Sequence, residues 1–188
     1  MNVLLIVLRR GTRSLGNHNE VVSALMAFSR KSSDLCIAPV VVDSANLTVE
    51  AQAAAFRAAS IVVSPHGSGL ANCVFLREGA VVIELLPWEY PNLTFYVALS
   101  WLPVRHVVMV VDGANAYGPM IADVDSLVAH VRTLRSEQLV CANQCAHLRV
   151  VFVWGKGKGG AGMSAELSEA STCLVNDSAF TLIGSIFS

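Results

Sequence analysis

The stretch Ile61 to Glu84, IVVSPHGSGLANCVFLREGAVVIE, limits most sharply what this sequence can fold into. It reads as a buried strand (Ser60 to Ser64), a tight Pro65-His66-Gly67-Ser68-Gly69 turn, a short helix beginning near Gly69 and a second buried strand (Ala80 to Leu85) that closes on the carboxylate of Glu84. Strand, glycine turn and helix start, in that order, build an anion site. The glycines let backbone approach a ligand closely, and the unpaired N–H groups of the helix start point at it and favour negative charge. A phosphate is the guest that such a turn suits.

The flanking sequence repeats the same alternation. Asn2 to Leu8, Leu35 to Val42 (its regular part shortened by Pro39) and Val104 to Val111 are apolar runs read as strands. Helices are expected from Asn17 to Phe28, from Val49 to Ala59 behind a Thr48 cap, from Asn92 to Ser100 and from Asp123 to Leu134. Unbroken apolar strands, in a sequence of 54% hydrophobic and 14% charged residues, suit a parallel sheet covered on both faces. The fold class predicted over residues 1–135 is therefore α/β, a doubly wound, mostly parallel, Rossmann-like sheet. Ligands of such sheets sit outside the carboxyl ends of the strands. Arg9, Arg10 and Arg13 after the first strand, the His66-Gly67 turn after the third and Glu84 on the fourth all fall at that edge.

From about Ser136 the pattern decays, and residues 136–188 read as a poorly defined tail, glycine-rich at 155–162 and expected to be flexible. Gly155, Gly157 and Gly160 satisfy GxGxxG, but too little sequence follows to complete a dinucleotide fold. The abrupt opening on an apolar strand is expected to mean that an upstream portion is missing.

A net charge of −1 and a pI near 6.5 give no electrostatic footprint for nucleic acid or an anionic membrane, so an anionic ligand has to be recognised locally. The longest uncharged stretch, Ala58 to Leu76, is broken by Pro65, His66 and glycines, and no membrane span is expected. Cys36, Cys73, Cys141, Cys145 and Cys173 contain no zinc-like pair of CxxC units and read as buried free thiols. Asn46, Asn92 and Asn176 head N-x-S/T sequons, which fit a secretory lumen.

Three readings of the central turn follow from the residues. In a nucleotide-sugar site, the N–H groups at Gly67 to Gly69 and the Ser68 side chain hold a diphosphate, an arginine neutralises it and Glu84 accepts from ribose hydroxyls. A serine hydrolase is suggested by His66-Gly67-Ser68-Gly69 but lacks any G-x-S-x-G elbow downstream. The third is a turn with no ligand, His66 bonding only to backbone. Asn17 is either a helix cap or a donor contact, and Trp88 and Tyr90 either stack on a ligand ring or wedge their loop onto the core.

The run Arg9-Arg10-Gly11-Thr12-Arg13-Ser14-Leu15-Gly16-Asn17, then Gln52 in an alanine-rich helix, then Pro65-His66-Gly67-Ser68-Gly69-Leu70-Ala71-Asn72 with Phe75, and Val82-Ile83-Glu84-Leu85-Leu86-Pro87, resembles the catalytic-domain signature of glycosyltransferase family 61. The resemblance covers roughly Asn2 to Leu134. It implies inverting transfer of a sugar such as xylose, arabinose or N-acetylglucosamine from a UDP-sugar donor to a glycan or glycoprotein acceptor, on the carboxyl-terminal donor half of a GT-B architecture. It also implies the Golgi or ER lumen, with the membrane anchor and the acceptor half outside this sequence. No cofactor and no metal are implied. On the same basis Arg9, Arg10, Arg13 and Asn17 lie near the donor, His66, Gly67, Ser68 and Gly69 contact its phosphate or sugar, and Glu84 binds the nucleoside. His66 and Glu84 are the candidates for the base that inversion requires.

Overall fold

The computed structural model describes residues 2–32, 37–90, 92–113, 117–141 and 150–154. Five strands, β1 (Asn2–Leu8), β2 (Ile37–Asp43), β3 (Ala59–Pro65), β4 (Val81–Pro87) and β5 (Arg105–Gly113), pair in parallel in the order β2-β1-β3-β4-β5. Two further strands complete the sheet, the second at the apolar run Val150–Trp154. β6 (Met120–Ile121) pairs antiparallel with Asp112 and Gly113, and β7 (Val150–Trp154) pairs in parallel with His106–Val110.

Helices α1 (His18–Lys31), α2 (Val49–Ala58), α3 (Thr94–Ser100) and α4 (Val124–Cys141) connect the strands, with a 3₁₀ helix at Ser68–Phe75. Side chains alternate across each strand, so β1 to β4 each feed two cores. Leu4, Ile6, Ile61, Val63, Ile83 and Met109 pack with Val21 and Leu25 of α1 and Leu127 and Val131 of α4. Leu5, Val7, Val62 and Val82 pack instead with Phe56 of α2, Leu70 and Cys73 of the 3₁₀ helix and Leu99 of α3. Both faces are covered, which is why the strands could be written as unbroken apolar runs.

The differences from the sequence-based expectation are local. Pro39 does not shorten β2: it pairs with Leu4, because β2 begins the strand order and the missing N–H of a proline is harmless at a sheet edge. β4 does not end near Glu84 but continues through Leu86 and Pro87, paired with Val110 and Val111, so the carboxylate is enclosed within the strand. α1 runs on to Lys31 and α4 to Cys141, while α3 begins at Thr94 rather than Asn92. Thr48 does cap α2, its Oγ accepting from the Ala51 N–H at 3.3 Å. The start of the second strand at Leu35, Cys36, Cys145 and Cys173, the Asn176 sequon and the glycine-rich 155–162 lie outside the described residues.

Candidate active site

The order β2-β1-β3 reverses direction between β1 and β3, and a crevice opens at such a point outside the strand ends. The loop leaving β1 and the turn leaving β3 therefore meet there. Their contact is direct: a Cβ on Gly67 would overlap the Arg9 guanidinium, so only the absence of a side chain lets arginine and backbone lie against one another. Gly67 has φ 152° and ψ −176°, a conformation that side chains rarely adopt. Arg9 is aimed by its own loop, donating from Nε to the Thr12 C=O at 2.5 Å and from Nη2 to the Thr12 hydroxyl at 3.2 Å. Burial, and then the Arg13 charge, lower its pKa.

Past the turn, the first 3₁₀ bond runs from the Leu70 N–H to the Gly67 C=O at 2.9 Å, so the N–H groups of Ser68 and Gly69 precede the helix's own bonding. Ser68 is exposed, and Gly69 faces Val7 and Ser44 at the ends of β1 and β2 with ordinary van der Waals room for a Cβ.

Behind the turn lies a buried polar line. Glu84, 2% exposed at the centre of β4, is bonded through Oε1 to His66 Nδ1 and through Oε2 to His106 Nε2 at 2.8 Å. His66 and His106 are 3% and 1% exposed, so the three groups are desolvated together. Strand register arranges them: Ser64 pairs with Glu84, and Glu84 pairs with Val108, two residues beyond His106. His66 is further held by its own N–H, which donates to the Leu85 C=O at 2.9 Å. Burial alone would raise the Glu84 carboxyl, but the hydrogen bonds from His106 and His66, and the electrostatic pull of those rings, outweigh it and leave the pKa lowered. Cys73, from the covering 3₁₀ helix, is pushed up to about 12 by burial and by Glu84, so its thiol stays protonated and is no nucleophile.

His66 is walled by aromatics, its ring meeting Tyr90 and Phe95 edge-on at centroid distances of 5.6 and 5.5 Å. Arg13, held at φ 55°, places its guanidinium over the Tyr90 ring at 5.1 Å. A continuous series of contacts thus joins Arg13, Tyr90, His66, Glu84 and His106, with Arg9 against the adjoining Gly67.

Two of the sequence-selected residues have other partners. Arg10 is mostly exposed and pairs with Asp43 at the end of β2, 2.6 Å away. Asn17 occupies the N-cap position of α1, but its side chain makes no capping bond. Its Nδ2 donates to the Ala122 C=O at 2.8 Å and its Oδ1 accepts from the Ala122 N–H at 3.1 Å. It ties the loop after β1 to the segment after β6. His106 and Phe95 were not singled out from the sequence. The signal for His106 was available in outline: a carboxylate inside an apolar strand requires buried donors, and His106, next to Arg105, is a polar member of the apolar run on the strand beside it.

Among the described residues no group of three or more His, Cys, Asp or Glu side chains is arranged to hold a metal ion, and no helix is long and apolar enough to cross a membrane.

Residues 2–83 match the family model described as Glycosyltransferase 61. That stretch is similar to glycosyltransferase family 61 sequences. Over 85 residues the protein is 36% identical to β-1,2-xylosyltransferase XAX1 of Oryza sativa subsp. japonica, a match taking in 45% of this chain and 14% of that protein. The α-1,3-arabinosyltransferases XAT2 and XAT3 of the same plant are each 32% identical over 87 residues, again 45% of this chain and 14% of theirs. The family signature thus reaches from β1 through Ile83, taking in Arg9 to Asn17 and the whole His66 turn, and stops short of Glu84 and His106.

Proposed function

We propose that this protein carries the donor site of an inverting glycosyltransferase, taking a sugar from UDP-sugar and passing it to a hydroxyl of a glycan or glycoprotein. The observation that carries the reading is the buried Glu84–His66 pair directly beneath the Arg9–Gly67 contact at the strand-order reversal. The donor diphosphate lies against Arg9, Arg13 and the N–H groups of Ser68 and Gly69, where protein dipoles and guanidinium groups offset its charge. The acceptor oxygen attacks the anomeric carbon, the bond from that carbon to the diphosphate oxygen breaks, and UDP leaves.

His66 is the base in this reading. Its Nδ1–H donates to ionised Glu84, leaving the Nε2 lone pair, which has no bonded partner among the described residues, to take the hydroxyl proton. Glu84, expected from the sequence to meet the ribose, has both oxygens engaged by imidazoles, so its place is behind His66. The named activities of the three rice relatives favour a pentose as the transferred sugar. The sequons at Asn46 and Asn92 support a secretory-pathway lumen as the compartment. A binding module that holds the nucleotide without transfer is the second reading, favoured by a match that takes in only 14% of each relative.

Calorimetric titration of the protein with UDP, UDP-xylose, UDP-arabinose and UDP-N-acetylglucosamine tests the donor site. Micromolar binding is expected. Arg9→Ala is expected to weaken it about tenfold or more, while Arg10→Ala, whose charge is already met by Asp43, changes it less than about threefold. No binding by a folded protein would remove the donor-site reading. Binding without transfer to any acceptor would leave the module.

A further inference from the structure

The His106 imidazole is almost fully buried and has one bond, from Nε2 to Glu84 Oε2, while its Nδ1 is enclosed without any hydrogen-bond partner among the described residues. A desolvated N–H or a charged ring with an unmet proton costs far more there than a bare lone pair. The proton is therefore on Nε2, facing Glu84, and the ring is neutral. The position pairs with Val82 and lies two residues before Val108, both buried, so the ring stands where the strand is otherwise apolar. What the ring does supply is a donor that occupies Oε2.

We propose that His106 is a positioning residue for the transfer reaction: by fixing Oε2 of Glu84 it commits Oε1 to the Nδ1–H of His66, and so holds the His66 lone pair on Nε2, facing the acceptor. With Oε2 free, the carboxylate rotates about its terminal torsion, which is broad and two-fold, and His66 loses both its orientation and its fixed tautomer. The line reads from one end to the other: lone pair at His106 Nδ1, proton at His106 Nε2, ionised carboxylate, proton at His66 Nδ1, lone pair at His66 Nε2. This rests on His66 being the base, as argued above. It concerns a residue beyond the family match, which ends at residue 83.

The test compares His106→Leu, which removes the donor, with His106→Gln, whose amide nitrogen falls where Nε2 lies. Nitrogen-15 NMR of the imidazoles reads the tautomer of His66 directly, whatever the protein's activity. The expected result is an Nδ1–H tautomer in the wild type and in His106→Gln, and a mixed tautomer in His106→Leu. Transfer from UDP-xylose to a glycan oligosaccharide, or hydrolysis with water in its place, is followed in parallel. His106→Leu is expected to lose about 10- to 100-fold in kcat, part of the roughly 10²- to 10⁴-fold that a positioned base contributes, with donor KM within about threefold. His106→Gln retains most of the rate. Should the leucine variant not fold, His106→Asn carries the same contrast, because its shorter amide stops short of Oε2. An unchanged His66 tautomer in the leucine or asparagine variant overturns the proposal, as does equal loss of rate in the glutamine variant. Tautomers as expected in a wild type that turns over no UDP-sugar would overturn the transferase reading instead, and leave His106 only a structural bond.

Discussion

A lone ionised carboxylate inside a sheet costs several kcal/mol, and Glu84 is tolerated because both of its oxygens are met. Since those bonds lower its pKa, the folded protein holds the ionised form more tightly than the unfolded one does. The resulting stabilisation is present in full above the ordinary glutamate value of about 4.3 and is lost as the pH falls through the lower folded value. Measured by urea midpoint, the advantage of wild type over Glu84→Gln is expected to be level above about pH 5 and to shrink below about pH 4. A gap that widens on acidification would show that the carboxyl is not held as its anion. Gly67 makes a separate claim. Gly67→Ala meets both a positive φ and the Arg9 guanidinium, and a loss of about 1–3 kcal/mol is expected. Adding Arg9→Ala should restore the part due to the overlap and leave the part due to φ, whereas strictly additive losses would show that Arg9 moves aside freely. Gly67 and Glu84 were legible in the sequence because glycine in a tight turn and a carboxylate in an apolar run each break a local pattern. His106 was not, because its meaning depends on which strand lies beside Glu84.

At the scale of elements, apolar runs and caps located β1 to β5 and α1 to α3 to within a few residues, and the start of α4 though not its end seven residues further on, since burial on both faces writes itself into the run. What failed was the chemistry of the joins. Asn17 followed by Glu20 reads as an N-cap signature, yet the amide pairs with Ala122, where it offers one donor and one acceptor to a single residue's backbone. The capping bond lost that competition, while the backbone carbonyl of Asn17 still accepts from the Glu20 and Val21 N–H groups. Gly16, beside it, donates its N–H to the Met120 C=O at 2.8 Å, and Met120 donates to the Ser14 C=O at 2.8 Å. The loop that carries the arginines is thus fastened to β6. Asn17→Ala is expected to cost about 1–2 kcal/mol, chiefly from its two hydrogen bonds to Ala122, the long 3.4 Å bond to Glu20 adding little. Its hydrogen-exchange signature separates the two roles: faster exchange at Gly16, Met120 and Ala122, with Glu20 and Val21 unchanged. Opening at Glu20 and Val21 instead would restore the capping role.

At the scale of the molecule, alternation of strand and helix is enough to predict a parallel doubly wound sheet, but not the order of its strands, because the direction of each crossover leaves no mark on hydrophobic periodicity. The order decides that the loops after β1 and β3 share one crevice, so the site could be assembled from sequence only as a list of residues at one edge. The far side of the sheet raises a question of extent. Residues 1–135 read as the folding unit, yet Val150–Trp154 pairs with His106–Val110, making β5 an inner strand over that length. Truncation after Cys141 would strip that ladder and leave Val107, Val108 and Met109 on an open edge, which invites pairing with other molecules. The truncated protein is expected to melt at least about 5 °C lower, corresponding to roughly 2 kcal/mol, and to associate with rising concentration. Because His106 lies at the start of the stripped ladder, the same cut is expected to blur the His66 tautomer as His106→Leu does. A truncated protein that stays monomeric, keeps its melting temperature and keeps the His66 tautomer would establish that the sheet through β5 and β6 is self-sufficient, and that the pairing of β7 contributes nothing to the site.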